Sequence, residues 1–223
     1  MTGSIAELVH RRYARSVAEC LVRREAFTVD LGMPRHQWFR WKSGISVPCG
    51  CDCRRLNAFP TDRRMIGDAL AEAVREAFPD VGYVIGAAHA GIPWATILAE
   101  RLDLPLAYVR AQPRAPGGVL VECAPAGAAS AVVVDDVVAS GASILSSIQA
   151  IQAETGLTVA GVQSIANWNF PEMRSRLTEW RVRALTSYPY ILDCARAAGL
   201  LNDAGVAQLS RFYQDPRNYA WAG

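Results

Sequence analysis

One stretch constrains this chain more than any other: "AVVVDDVVASGAS", residues 131–143. A run of valines, suited to a buried strand, leads without a break into Asp135 and Asp136. Ala139, Ser140, Gly141, Ala142 and Ser143 then carry no side chain larger than a hydroxymethyl group. Small residues permit a tight turn and leave backbone N–H groups uncovered, so that they can converge on an anion. If a helix starts there, its positive dipole end adds to the attraction. A single aspartate would read as a helix cap. Two carboxylates beside an anion cradle point instead to a sugar phosphate, with the acids on ribose hydroxyls or on the hydration shell of Mg²⁺.

The chain around this stretch alternates. "VGYVIGA" (81–87), "LPLAYVR" (104–110), "AVVVDDV" (131–137), "TVAGVQSIA" (158–166) and "VRALTS" (182–187) read as strands. Helices are predicted over 62–78, from Pro93 through Leu102, over 142–155 with Gly156 as the stop, briefly after Pro171, and over 189–198 and 203–214. The expected fold class is α/β, a doubly wound parallel sheet covered on both faces. In such sheets ligands bind beyond the carboxyl ends of the strands. The first 60 residues do not share the alternation. Ser4-Ile5-Ala6-Glu7 has the form of a capping box, and Ile5, Leu8, Val9, Tyr13, Val17 and Leu21 predict a helix over 5–24. Residues 27–60 are broken by Gly32, Pro34, Gly44, Pro48, Gly50 and Pro60. The expectation is one domain over 1–223: an N-terminal helix and hood (about 1–60) on an α/β core with terminal helices (about 61–223).

Composition excludes several classes. The chain is 51% hydrophobic and 20% charged, which fits a folded rather than a disordered protein. A net charge of +2 argues for neither nucleic acid nor membrane as a partner. No apolar run reaches the roughly 18 residues of a membrane span, and a cytoplasmic location is expected. Six cysteines in 223 residues do not form a disulfide framework, so reduced thiols are expected. "CGCDC" would place Cys49, Cys51 and Cys53 on one face of a strand, but it lacks the usual zinc-ligand spacing, which favours small packed residues. "GAAHAGIP" (86–93) lacks the Lys-Ser/Thr of a nucleotide-binding P-loop, and neither G-x-G-x-x-G nor G-x-S-x-G occurs. His89 reads as a loop residue near a ligand. His10 and His36 carry no local pattern and are expected at the surface.

The residues also carry a resemblance. "AVVVDDVVASGASI" resembles the phosphoribosyl-diphosphate (PRPP) motif of type I phosphoribosyltransferases, and within that class the chain resembles the orotate phosphoribosyltransferases. "WFRWKSGISVPCGCDCR" (38–54) is similar to that family's hood, "GAAHAGIPWA" to its pyrophosphate loop, and "LPLAYVRAQPR" to its strand entering a mobile catalytic loop. The resemblance implies transfer of phosphoribose from PRPP to orotate, with Mg²⁺ held through PRPP and water and no direct protein ligand. It implies a homodimer with shared active sites. It assigns catalytic roles to Asp135, Asp136 and Arg114. PRPP contacts would come from Lys42 (the sole lysine), Ala87, Ala88, His89, Ala90, Gly91, Arg110 and 139–143. Gly50, Cys51, Trp168 and Asn169 would border the base, with Trp168 and Phe170 supplying aromatic bulk. The chain departs from the family pattern at Ala90 and Ala111, where lysines are common, at Cys49–Cys51, where aromatics are common, and in "SIANWNFPEM", which lacks an obvious carboxylate-binding arginine. Two alternatives stay open from sequence: transfer to a different heterocycle, or a non-catalytic PRPP-binding regulator.

Overall fold

The computed structural model describes residues 9–40, 44–123 and 130–219. The central sheet has six strands in the order β10-β9-β8-β5-β6-β7. β5 (Tyr83–Ala87), β6 (Leu106–Val109), β8 (Ser130–Val138), β9 (Thr158–Asn167) and β10 (Arg181–Ser187) are parallel. The short edge strand β7 (Val121–Glu122) runs antiparallel to β6 and was not foreseen from sequence.

Period-two alternation divides the core. Val84, Val132 and Val134 face one side of the sheet, and Tyr83, Ile85, Ala131 and Val133 the other. On the first side lie α1 (Ala14–Arg23), α2 (Pro60–Ala77), α3 (Gly91–Leu102), α6 (Tyr188–Ala197) and α7 (Asp203–Gln214). The second side is covered by α4 (Ala142–Thr155) and α5 (Pro171–Arg176). The helix boundaries follow local chemistry. Pro60 opens α2 after the extended Phe59, and Gly156, at φ +69°, ends α4. Asp62 in the first turn of α2 accepts from Arg23 Nη2 (2.7 Å) and Arg24 Nε (2.6 Å), which ties α1 to the core.

The hood holds two small antiparallel pairs, β1 (Phe27–Val29) with β4 (Cys49–Cys51) and β2 (Phe39–Arg40) with β3 (Ser46–Val47). A 3₁₀ turn, Cys53–Ala58, leads back to α2. The predicted N-terminal helix is shorter than its periodicity suggests. Its first four residues, 5–8, lie outside the described residues, as does the capping box. Val9 pairs in parallel with Ala184, and His10 donates its N–H to the Ala184 carbonyl (3.0 Å). Backbone recruited to the sheet edge cannot also be helical, so α1 starts only at Ala14. His10 itself is buried at 6% exposure, a correction to its expected surface position.

Candidate active site

The site follows from strand register. β5 pairs with β8 only as far as Gly86 opposite Val134, whereas β8 continues along β9 through Val138 opposite Asn167. Asp135 and Asp136 therefore lie past the last β5 partner, on a strand still held from its other side. Chain connections leave β5 towards β6 and leave β8 towards β9, so the crevice between them is the switch point where α/β sheets bind ligands.

Both aspartates are partly exposed. Asp136 donates its N–H to Asp135 Oδ1 (2.9 Å), and Val137 donates to Asp136 Oδ1 (2.8 Å). Burial pushes the Asp136 carboxyl above the usual carboxylate range, and the charge of Asp52 adds to this; the Val137 N–H, Asp135 and Arg54 pull the other way. Asp52 and Arg54 form an ion pair in the hood (2.6 Å), so the hood brings its own charges next to Asp136.

Two turns flank the aspartates. Residues 139–143 make the tight entry to α4, with Gly141 at φ +76° and the Leu145 N–H on the Gly141 carbonyl (2.9 Å). No side-chain cap occupies this helix start. Ser143 is exposed and Ser140 is buried, its carbonyl accepting from Arg176 Nη1 (2.8 Å). The second turn, 88–91, contains a cis Ala88–His89 peptide and an exposed His89. It lies directly on β8: a Cβ on Gly91 would come within 2.3 Å of the Val134 carbonyl oxygen and 3.0 Å of Asp135 Cα. A cavity of about 320 Å³ beside these turns is lined by Ala88, Arg110, Ala111, Ala142 and Ser143, among others.

Positive charge at the mouth is already paired. Arg114, 71% exposed, places Nε 2.9 Å from Glu122 Oε1, and Arg110 Nη1 lies 3.5 Å from the same oxygen. Glu154, from the last turn of α4, accepts the Leu120 and Val121 N–H groups (2.9 and 2.8 Å) and holds the base of this loop. Neither glutamate was singled out in the sequence. The available signal was position, since Glu122 is the sole acid between Arg110 and the next strand.

The base side departs furthest from expectation. Gly50 and Cys51 line a hood cleft of about 460 Å³ together with Phe39, Arg40, Asp52 and Arg54. The Phe39 ring packs over Gly50, 3.3 Å from where a Cβ would stand, and restores aromatic bulk that the sequence reading took as missing. Trp168 and Phe170 do not wall an open slot: they are 2% and 1% exposed. Trp168 meets Tyr188 edge-on (4.6 Å between centroids) and Phe27 (6.5 Å), because core contacts from α6 and β1 claim its ring. Asn169, at φ +51°, is buried, donates its N–H to Asn167 Oδ1 (2.5 Å) and accepts from Arg174 Nε (3.0 Å). Among the described residues the Nδ2 amides of Asn167 and Asn169 have no hydrogen-bond partner. Lys42 lies outside the described residues.

The cysteines do not assemble a metal centre. Cys51 and Cys53 face each other at 3.8 Å between sulfurs, while Cys49 turns to the Tyr188 hydroxyl (3.6 Å). Burial pushes the Cys49 thiol up to about 12. All six thiols are free.

Known proteins share much of this sequence and fold. The profile of the phosphoribosyl transferase domain matches residues 62–167. Orotate phosphoribosyltransferase of Streptococcus pneumoniae is 33% identical over 209 residues, covering 92% of this chain and 97% of that protein. The Fusobacterium nucleatum protein of the same name is 33% identical over 178 residues, covering 78% and 84%. Among solved structures, orotate phosphoribosyltransferase from Aeropyrum pernix superimposes with a TM-score of 0.69 at 26% identity, over 83% of this chain and 99% of that one.

Proposed function

The chain belongs to the orotate phosphoribosyltransferase family, and we infer from that premise that it transfers the 5-phosphoribosyl group of PRPP to orotate. Orotidylate and pyrophosphate are the products, a step of pyrimidine nucleotide synthesis. A ring nitrogen of the base attacks the anomeric carbon as the bond to pyrophosphate breaks. The transition state is oxocarbenium-like, so electrostatic placement carries the rate. The observation that carries this reading is the register that takes Asp135 and Asp136 past β5, between the turns at 88–91 and 139–143.

In this reading Asp135 and Asp136 hold the ribose hydroxyls. The backbone and hydroxyls of 139–143 hold the 5-phosphate at the uncapped start of α4. Residues 87–91 and Arg110 face pyrophosphate, with Lys42 joining them by family position. Arg114 leaves Glu122 to meet the charge that develops on the leaving group. The two aspartates fit the hydration shell of a Mg²⁺ carried by PRPP, which would neutralise pyrophosphate charge without a direct protein ligand. The base lies against Gly50 and Cys51, and Asn169 together with Arg174 supplies donors for its carboxylate. Trp168 supports this wall from the core. A homodimer in which the 110–118 loop serves the neighbouring site, and a cytoplasmic location, complete the reading; the free thiol pair Cys51–Cys53 fits a reducing compartment. Among the described residues no helix is long and apolar enough to cross a membrane.

The test is orotidylate formation from PRPP, with and without Mg²⁺, with uracil and nicotinate run in parallel and the oligomeric state measured at micromolar protein. Orotate is expected to be the preferred base. A competitor better in kcat/KM by tenfold, about 1.4 kcal/mol of transition-state preference, overturns the assignment. Bound PRPP with no turnover on any base identifies a regulator instead.

A further inference from the structure

We propose that His10, Glu72 and Glu76 form a metal site for a divalent transition-metal ion, with Zn²⁺ as the ion of choice, that fastens the N-terminal segment to α2. These three residues bring their ligand atoms within 4.8 Å of one another, and none of them has a role in the proposed transfer. Glu72 and Glu76 are four residues apart and share one face of α2. His10 is delivered to them by the short bridge to β10, with its side chain only 7% exposed.

The histidine supplies the independent observation. A buried imidazole ordinarily has its ring nitrogens in hydrogen bonds, and among the described residues neither Nδ1 nor Nε2 has a hydrogen-bond partner. Nε2 lies 3.1 Å from Glu76 Oε2, within ion-pair distance but without forming a hydrogen bond. That separation suits two ligands of a single ion: bonds of about 2.0–2.1 Å in a tetrahedron leave neighbouring ligand atoms about 3.3 Å apart.

Glu72 is oriented by the Tyr13 hydroxyl (2.5 Å) and Arg12 Nη1 (2.9 Å). Arg12 is largely exposed and can swing aside when a dication enters. A cleft of about 450 Å³, lined by Tyr13, Glu72 and Glu76 among others, gives access from solvent. One imidazole and two carboxylates match Zn²⁺ better than Mg²⁺ or Ca²⁺, and leave a fourth position for water.

The experiment is Zn²⁺ titration of the full chain against a chromophoric chelator, with Co²⁺ substituted to read tetrahedral absorption. One Zn²⁺ per chain is expected at micromolar free metal, with a rise in melting temperature. Affinity should fall at least tenfold in His10→Ala and in Glu76→Gln, and stay unchanged in Cys51→Ser with Cys53→Ser. Glu76 is an exposed side chain, so its variant tests the site without disturbing the fold, which circular dichroism checks. Absence of saturable Zn²⁺ binding, equal affinity in Glu76→Gln, or affinity that follows the two cysteines overturns the proposal.

Discussion

The aspartate strand with its two turns, and the loop from Arg110 to Glu122, border the same crevice and are built on opposite principles. The first is backbone in close packing: Gly91 rests on the backbone of Val134 and Asp135, and Gly141 lies 3.2 Å, measured from a Cβ position, from the Leu177 side chain. The second is held by exposed charges, with two arginines sharing one glutamate oxygen and Glu154 clasping the loop base. Packed backbone cannot adjust without cost, whereas solvated ion pairs exchange partners cheaply. In the proposed reading this contrast gives geometry to the cradle and motion to the loop, a division suited to an enzyme that must hold PRPP rigidly and then close over it.

Five perturbations test the division. The largest effect is expected from Asp135→Asn combined with Asp136→Asn, which should abolish PRPP binding while the melting transition persists; retained affinity would break the cradle assignment. Next comes Gly91→Ala. Its methyl group meets backbone that cannot move away, so a stability loss at or above the ~1–3 kcal/mol of ordinary overpacking is expected in urea titration, with PRPP affinity lost too. Gly117→Ala is its counterpart in the loop: φ is +75° with open space around it, so only backbone strain of ~1–2 kcal/mol applies. Equal effects on PRPP affinity at the two glycines would erase the contrast.

Arg114→Ala should lower kcat by about 10²–10³ while PRPP affinity changes little, as for removal of one transition-state donor. If affinity collapses and saturated turnover survives, Arg114 is a ground-state binder and the loop belongs with the cradle.

The smallest effect concerns pH. The folded Asp136 carboxyl is raised above its unfolded value, so the folded state binds its proton more readily, and the penalty for holding the charge disappears as pH falls. Asp136→Asn should therefore melt above wild type at neutral pH, with the gap narrowing on acidification towards the raised pKa. PRPP affinity of the wild type should weaken over the same range, since the protonated acid is a poorer partner for ribose and metal-bound water. A gap that widens on acidification would show that the carboxylate is stabilised where it sits.

Legibility followed the same line. The valine run, the paired aspartates and the small-residue turn act through local chemistry, and strand, turn and helix appear where those residues predict them. Gly156 ends its helix because a left-handed residue is needed there, which is visible in one letter. The loop was harder to read. Arg114 stood out as a lone cation, but its partner Glu122 is set by the antiparallel pairing of β7 with β6, which no local pattern announced.

The sequence by itself determined the alternating sheet, the tight turn that follows Asp135 and Asp136, and the family to which the chain belongs, because strand propensity, glycine conformations and adjacent charges are properties of neighbouring residues. Tertiary structure alone decided that Trp168 faces Tyr188 and Phe27 rather than a base, that Phe39 fills the space above Gly50, and that His10 is buried against Glu72 and Glu76. Each of these depends on contacts between segments far apart in the chain. Burial and charge pairing are settled by whichever distant surface arrives, and a single sequence does not display that surface.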